Sequence, residues 1–172
     1  MELIFPTIEH KEAVLSYRRE WLDIKPDERI HGSWGLQNPK YADYELWLSE
    51  IETLRTTPMP NINVPASTYI AVVEDRIVGT VQVRHCLNES LLKTGGHIGY
   101  GVRPSERLKG YGTKILSLAL DKCRLLGIQK VLLTCDKENT GSARTIMNNG
   151  GVLENELIEE NGNVLQRYWI IC

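Results

Sequence analysis

The chain has 172 residues and a formal net charge of −2, and no basic run stands out along it. A chain of this length is expected to form one domain, residues 1–172, that buries roughly 70% of its unfolded surface without help from a metal ion or disulfide. Hydrophobic content of 42% and charged content of 24% are typical of globular proteins. The net charge of −2 and the absence of a basic run argue against broad nucleic-acid binding.

The four cysteines, Cys86, Cys123, Cys135 and Cys172, form no C-x-x-C pair and no zinc-type Cys/His pattern. We therefore expect no bound metal and reduced thiols, with Cys123 and Cys135 in the core. The N-terminus lacks the basic and apolar parts of a signal peptide, and no apolar run approaches the ~20 residues of a membrane span. These features predict a cytoplasmic protein without a membrane partner.

The first third of the chain predicts one short strand and two helices. Residues 2–5 fit a strand, whereas residues 9–22 and 41–54 carry apolar side chains at helical spacing. Residues 24–40 between the helices are predicted to form an ordered loop. Residues 56–65 contain three prolines and are predicted to form an extended surface loop.

The remainder of the chain alternates between strands and helices. β-Branched runs predict strands at residues 68–73, 77–84, 95–103, 130–135, 152–158 and 164–171. Helices are predicted at residues 111–126, with Gly127 as the C-cap, and at residues 139–149, with Asn139 as the N-cap. Asn161-Gly162 predicts a tight hairpin between the last two strands.

The most informative stretch is Arg107-Leu108-Lys109-Gly110-Tyr111-Gly112-Thr113, between a predicted strand and a predicted helix. Two glycines just before a helix start let main-chain N–H groups converge on one point, an arrangement that binds phosphate. No Walker string G-x-x-x-x-G-K-[ST] occurs, and a dinucleotide fingerprint would need glycine at Ile115. The sequence therefore predicts a different kind of anion-binding turn.

The arrangement R-x-x-G-x-G resembles the pyrophosphate-binding signature Q/R-x-x-G-x-G/A of the GNAT family of N-acetyltransferases. The order of predicted elements is also similar to that family over nearly the whole chain, most clearly over residues 64–171. The resemblance implies an α/β (α+β) fold with a mixed central sheet flanked by helices. Its central strands would splay apart into a V-shaped cleft for the pantetheine arm of a coenzyme.

The resemblance implies an N-acetyltransferase of bacterial type, which moves an acetyl group from acetyl-CoA to a primary amine by direct attack. Acetyl-CoA would be the cosubstrate, and no metal would be needed. The residues that the resemblance places against the coenzyme are Gly101, Val102, Arg103, Arg107, Lys109, Gly110, Tyr111, Gly112, Thr113, Asn139 and Ser142. Asn139 and Ser142 fit a simple helix cap equally well.

The acid–base groups are less well marked than the coenzyme site. Where many family members carry a carboxylate, this chain has Gly96, and where many carry a tyrosine, it has Ile146 or Met147. The candidate catalytic residues are therefore His97, His85 and Tyr168, with Tyr100 and Tyr111 as further phenols near the cleft. Each also has a plain structural interpretation.

Two other functions remain as alternatives. The missing carboxylate and tyrosine favour a catalytically silent acyl-CoA-binding sensor or regulatory module, and a third hypothesis is an interaction domain that binds no coenzyme. Trp34, Trp47, Glu28 and Tyr44 lie in the part that commonly borders the acceptor in this family, although Trp47 fits the core better. The acidic second helix either favours a cationic acceptor or is simply solvated. Family habit allows a homodimer.

Overall fold

The computed structural model describes residues 1–60 and 62–172. The strands are β1 (Glu2–Ile4), β2 (Ala66–Val73), β3 (Arg76–Arg84), β4 (Ile98–Val102), β5 (Lys130–Asp136), β6 (Val152–Ile158) and β7 (Val164–Ile171). The α-helices are α1 (Lys11–Ile24), α2 (Tyr44–Leu54), α3 (Tyr111–Leu125) and α4 (Thr140–Asn148). This order of elements is the predicted one.

The strands form two sheets, with the orders β1-β2-β3-β4 and β5-β7-β6, and every paired neighbour is antiparallel. Helices α1 and α2 pack on one face through aromatic residues such as Trp21 and Trp47, which are at most 1% exposed. Helices α3 and α4 pack on the other face through residues such as Leu116 and Ile146. Burial of each such apolar side chain stabilises the fold by about 1.5–3 kcal/mol.

Among the described residues, the main-chain hydrogen bond between the two sheets joins His97, just before β4 begins, to Leu132 in β5. The main-chain N–H of His97 donates to the carbonyl of Leu132 at 2.7 Å, and beyond this point the described residues of β4 and β5 share no hydrogen bond. Further along, Tyr100 of β4 and Cys135 of β5 both lie near Ser142 of α4. The two strands thus run in the same direction and separate, which confirms the predicted splayed pair.

Local signals explain most of the boundaries. Gly127, with φ 75°, ends α3 as predicted, and Glu74 and Asp75 both adopt positive φ in the β2–β3 turn. The strand predicted at residues 95–103 begins three residues late, at Ile98, because a π-helical turn spans Leu91–Gly95. No helix among the described residues has the length and apolar character that a membrane crossing requires.

The predicted surface loop at residues 56–65 contains no helix or strand in its described part, and Asn61 lies outside the described residues. Cys123 and Cys135 are buried, as predicted, and all four cysteines are free thiols. Trp47 is fully buried and belongs to the core.

Candidate active site

The predicted phosphate turn connects the end of β4 to the start of α3. Gly110 is the N-cap of α3 with φ 81°, and Leu108 also has a positive φ of 64°. An ideal Cβ at Gly110 would meet no atom within 4 Å, so glycine is needed there for backbone conformation and not for space. The two left-handed residues turn the intervening main chain toward solvent.

The main-chain N–H groups of this turn are free. Within the described chain, the first hydrogen bond of α3 runs from the N–H of Lys114 to the carbonyl of Gly110 at 3.3 Å, and no acceptor is recorded for the N–H groups of residues 109–113. Free N–H groups at a helix N-terminus attract anions through both hydrogen bonding and the helix dipole. The turn is therefore a site for a phosphate-sized anion.

The two predicted cations of the turn are already paired. Arg107 Nη2 donates to Glu28 Oε1 at 2.6 Å, and its guanidinium lies 4.9 Å from the ring centroid of Trp21. Lys109 Nζ donates to Glu106 Oε2 at 2.9 Å on the surface. Exposed pairs of this kind contribute little stability and exchange readily. Arg107 thus ties the turn to the segment after α1, while Lys109 can reorient toward a ligand.

Main-chain groups of β4 also face the gap. The N–H of Arg103 donates to the carbonyl of Val78 at 2.8 Å. Because such groups alternate sides along an antiparallel strand, those of Gly101 also face β3, whereas those of Val102 and Tyr100 face β5 across the gap. Main-chain contacts with the coenzyme were predicted for Gly101, Val102 and Arg103. Among these described residues only Val102 has main-chain groups that are free toward the gap, and those of Tyr100 are free in the same way.

The side chain of Arg103 belongs to the core and not to the cleft. Its Nε donates to Glu20 Oε2 at 2.6 Å, its Nη1 donates to the Ile77 carbonyl at 3.2 Å, and the residue is 5% exposed. Both the guanidinium and the amide are therefore occupied, and the predicted coenzyme role of Arg103 is withdrawn.

Helix α4 borders the other side of the gap. Asn139 Oδ1 accepts from the N–H of Ser142 at 3.0 Å, so the structural role as a helix cap is present. The Oγ of Ser142 lies 3.0 Å from the hydroxyl of Tyr100. Burial raises the pKa of Tyr100, so that its phenol stays protonated at neutral pH.

His97 sits at the junction of the two sheets. Its Nδ1 accepts from the N–H of Leu132 at 3.0 Å, and the residue is 7% exposed. Burial, followed by the nearby charge of Arg84, lowers the pKa of His97 to about 4. The neutral imidazole accepts the hydrogen bond that a main-chain carbonyl would otherwise accept from Leu132. The role of His97 is therefore structural.

The other two predicted catalytic residues do not join His97. His85 Nε2 lies 2.9 Å from the Oγ of Ser67 on β2, and Tyr168 is 3% exposed with its hydroxyl donating to Gln166 at 2.7 Å. The structure therefore does not bring His97, His85 and Tyr168 together around one reacting centre, and their proposed catalytic roles are replaced below.

One residue on the gap was missed by the sequence reasoning. The loop between α1 and α2 lies directly on β4, because an ideal Cβ at Gly32 would fall 2.4 Å from the carbonyl oxygen of Gly99. A Cβ at Gly101 would fall 2.9 Å from the carbonyl oxygen of His31. Three glycines thus allow the loop to place His31 over the middle of β4.

His31 lies at the mouth of the gap. The residue is exposed to solvent. Even so, partial desolvation by the surrounding protein is the largest cause of its lowered pKa, as expected for a side chain in a concave surface. Arg29 lowers the pKa further, while Glu28 and Asp136 act in the opposite direction. The alternating glycines at positions 99 and 101 were the available signal for this close approach.

The described residues contain no cluster of three or more His, Cys, Asp or Glu side chains arranged to hold a metal ion. A separate depression of about 500 Å³ is lined by residues that include Met1, His10 and Glu74. It contains none of the predicted site residues.

Together, the glycine turn with its free N–H groups, the adjoining gap between splayed strands and the helices on both faces form one candidate ligand site. A family model described as "Acetyltransferase (GNAT) family" matches residues 16–148. The chain therefore belongs to the GNAT family of acetyltransferases.

Solved structures share the fold at low sequence identity. The microcin C7 self-immunity acetyltransferase MccE, in complex with acetyl-CoA and AMP, is 17% identical with a TM-score of 0.70, over 99% of this chain and 91% of its own. A point mutant of the spermidine N-acetyltransferase SpeG from Vibrio cholerae is 15% identical with a TM-score of 0.66, over 99% and 95%.

A Salmonella typhimurium acetyltransferase that modifies the N-terminal serine of ribosomal protein L7/L12 is 15% identical with a TM-score of 0.69, over 99% of this chain and 94% of its own. At such identities the likeness shows the fold alone. No curated protein matches the chain.

Proposed function

We propose that the N–H groups of residues 109–113 bind the pyrophosphate of acetyl-CoA and direct its thioester into the gap between β4 and β5. The observation that carries the proposal is that these N–H groups lack an internal acceptor in the described chain while they surround a helix N-terminus. Acetyl transfer to a primary amine then follows by direct attack in a ternary complex.

The free edge of β4 provides the second set of contacts. The pantetheine arm carries amide groups that can pair with Tyr100 and Val102 as a further strand would. A main-chain N–H at this edge also stabilises the negative charge that develops on the thioester oxygen during attack. Both functions require that the gap stays open to the coenzyme.

The incoming amine must lose a proton. An alkylamine has a reference pKa near ~10.4, so deprotonation at pH 7 costs roughly 4–5 kcal/mol. We assign the proton-accepting role to His31, directly or through water, because its main chain lies over Gly101 and its lowered pKa keeps the imidazole neutral at pH 7. This residue takes the role that a carboxylate at Gly96 would have filled.

The leaving thiolate must gain a proton. Tyr100 is protonated, lies on the strand that borders the coenzyme, and contacts Ser142 at the start of α4. We assign the proton-donating role to this phenol in place of the tyrosine that is absent at Ile146 or Met147.

A silent coenzyme-binding module is the second candidate function, and Gly96 favours it. Gly96 has φ 65°, and an ideal Cβ there would lie 2.5 Å from the carbonyl oxygen of Leu132. No carboxylate can therefore occupy that position without rearrangement.

The acceptors named for the similar structures, spermidine and an N-terminal serine, support an amine as the substrate class.

Two measurements separate these functions. Calorimetry with coenzyme A tests binding, and release of free thiol across an amine panel tests transfer. Binding together with an acetylated product supports the enzyme, whereas binding without thiol release from any amine supports the silent module. No heat at millimolar coenzyme A contradicts both.

Three broader expectations remain part of the proposal. One domain over residues 1–172 is supported by structural likeness that covers 99% of the chain. A cytoplasmic location is supported by the free thiols of all four cysteines. A homodimer is supported by β6, the last strand of its sheet, where Val152 and Ile158 are 70% and 80% exposed. Light scattering on the purified protein tests the dimer.

A further inference from the structure

Arg84, the last residue of β3, lies on the face of the sheet that the His31 loop covers. Its Nη1 donates to the carbonyl oxygens of Gly95 and Gly96, both at 2.9 Å. An ideal Cβ at Gly99 would lie 3.6 Å from its Nη2. The guanidinium therefore extends along β4 at the closed end of the gap, on the side opposite to α3 and α4.

Part of this guanidinium is unsatisfied. Its Nε is buried without a hydrogen-bond partner, whereas Nη2 has no acceptor in the described chain but is not fully buried. Nε and Nη2 form the edge of arginine that binds a carboxylate or phosphate through two parallel hydrogen bonds. An oxyanion can reach Nη2 as the structure stands, and it reaches the buried Nε only if the groups that cover it move.

The charge of Arg84 also lacks compensation within the protein. Burial lowers its pKa to about 10, and the one charged group that adds to this effect is a second cation, Arg29. Arg84 remains protonated at neutral pH, and no described carboxylate forms an ion pair with it. A half-buried cation next to another cation is unfavourable unless an anion binds between them.

Two of the acidic side chains of α2, which favoured a cationic acceptor, are already engaged, whereas Glu52 is exposed and has no ion pair among the described residues. Glu50 accepts from Lys40 Nζ at 2.8 Å, and Glu45 accepts from Lys11 Nζ at 2.8 Å. The cations at the closed end of the gap have no such partners among the described residues. In the described chain Arg84 and Arg29 thus remain unpaired on the acceptor side, together with the carboxylate of Asp136 near His31.

We propose that Arg84 and Arg29 bind an anionic group of the acceptor, so that the acceptor is a primary amine that also carries a carboxylate or a phosphate. This inference rests on the proposed acetyl transfer. Gly99, beside Arg84, and Gly101, beside His31, are two residues apart on β4, about 7 Å. Because the main chain of His31 contacts Gly101, that spacing lets an acceptor with a few bonds between its amine and its acid group reach the neighbourhood of both His31 and Arg84.

Matched acceptors test the proposal. Thiol release is measured with β-alanine, propylamine and diaminopropane, which share a three-carbon length but end in carboxylate, methyl and ammonium. Aminoethyl phosphate against ethanolamine forms a second pair that separates phosphate from carboxylate. We expect a kcat/KM at least about tenfold higher for one of the two anionic amines than for its neutral counterpart, as for a hydrogen bond to a charged group.

Variants then locate the preference. Arg84→Gln and Arg29→Gln should each lower the ratio of anionic to neutral kcat/KM toward one. Arg29 is exposed on a loop, so its variant remains informative if Arg84→Gln fails to fold. Arg124→Gln, which makes the same charge change on an exposed part of α3, should retain the wild-type ratio.

A binding measurement separates this proposal from the proposed function. Calorimetry compares N-acetyl-β-alanine and N-acetylaminoethyl phosphate with N-propylacetamide, each in the presence of coenzyme A. Binding of either anionic ligand that weakens in the Arg29 and Arg84 variants supports the anion site even if no amine is acetylated. Equal or better use of the diamine, or a preference unchanged in both variants, overturns it while leaving acetyl transfer intact.

Discussion

The hydroxyl of Tyr100 lies 3.0 Å from the Oγ of Ser142, and this contact joins β4 to the first turn of α4 beside the gap. The two groups approach from elements that belong to different sides of the cleft. The contact therefore holds the phenol at the border of the coenzyme path, in the protonated form that burial favours.

Replacement of Tyr100 by Phe tests its proposed role as proton donor. We expect kcat to fall by about a hundredfold or more, because a positioned acid contributes on this scale. Ser142→Ala removes the same hydrogen bond but retains the phenol, so its kcat should fall far less. Both variants should lose about 0.5–1.5 kcal/mol of unfolding free energy in urea. Equal effects on kcat would reduce Tyr100 to a structural cross-link.

His31→Asn tests the proposed base through the pH profile. A neutral imidazole is required, so kcat/KM should fall as pH decreases through the pKa of His31. Desolvation of His31, followed by the charge of Arg29, lowers this pKa. The decline in kcat/KM should therefore occur at pH values below the ordinary pKa of ~6.5. The variant should lose this acidic limb and much of its rate. His85→Asn is the control, and an identical profile in wild type and His31→Asn would remove His31 from catalysis.

Arg103→Met tests the correction that Arg103 is structural. Removal of Arg103 leaves the Glu20 carboxylate with Arg76 at 3.6 Å and the N–H of Ser105 at 3.0 Å, so unfolding free energy should fall by about 2–3 kcal/mol, toward the lower end for a buried pair. The double variant with Glu20→Met should recover part of that loss. The Kd for coenzyme A, measured where the variant is folded, should stay near that of the wild type. Normal stability with lost coenzyme binding would return Arg103 to the cofactor site.

The lowered pKa of His97 should make the junction between the two sheets sensitive to acid. The unfolded imidazole titrates near ~6.5, whereas burial first and then Arg84 lower the folded pKa to about 4. Between these pH values the unfolded chain binds more protons, so stability should decrease by up to about 3 kcal/mol as pH falls from ~6.5 toward 4. His97→Asn should flatten this part of the curve, measured by urea unfolding at several pH values. An unchanged slope would show that other groups dominate.

The elements that the sequence predicted well are those with local chemical causes. The Asn161-Gly162 hairpin, the Gly127 helix end and the glycine turn at 110 each depend on a few adjacent residues with a known backbone requirement. The pattern Q/R-x-x-G-x-G/A added the proposed identity of the anion, the pyrophosphate of a coenzyme. These features needed no knowledge of distant contacts.

The proposed base, His31, was not predicted, because contacts between distant segments determine where it lies, whereas Tyr100 was predicted as a phenol near the cleft. His97 appeared available until its Nδ1 was found to accept from Leu132, a residue 35 positions away. His31 and Arg84 lie on different elements that meet only through the loop resting on Gly99. Gly32 and the alternating glycines of β4 carried this information, but their shared contact is visible only in three dimensions.

Calorimetry with coenzyme A on variants of Gly112 tests coenzyme binding by the glycine turn most directly. An ideal Cβ at Gly112 would lie 3.4 Å from Thr145 Oγ1 and farther from other atoms, so Gly112→Ala should fold and bind normally. Gly112→Glu adds a negative charge beside the pyrophosphate and should weaken Kd by about a hundredfold or more. Gly112→Gln separates charge from size.

We expect millimolar or tighter binding of coenzyme A by the wild type and by Gly112→Ala, an intermediate Kd for Gly112→Gln, and severe loss for a folded Gly112→Glu. Absence of wild-type binding at millimolar ligand, or full affinity in Gly112→Glu, would contradict the assignment of the turn as the pyrophosphate site.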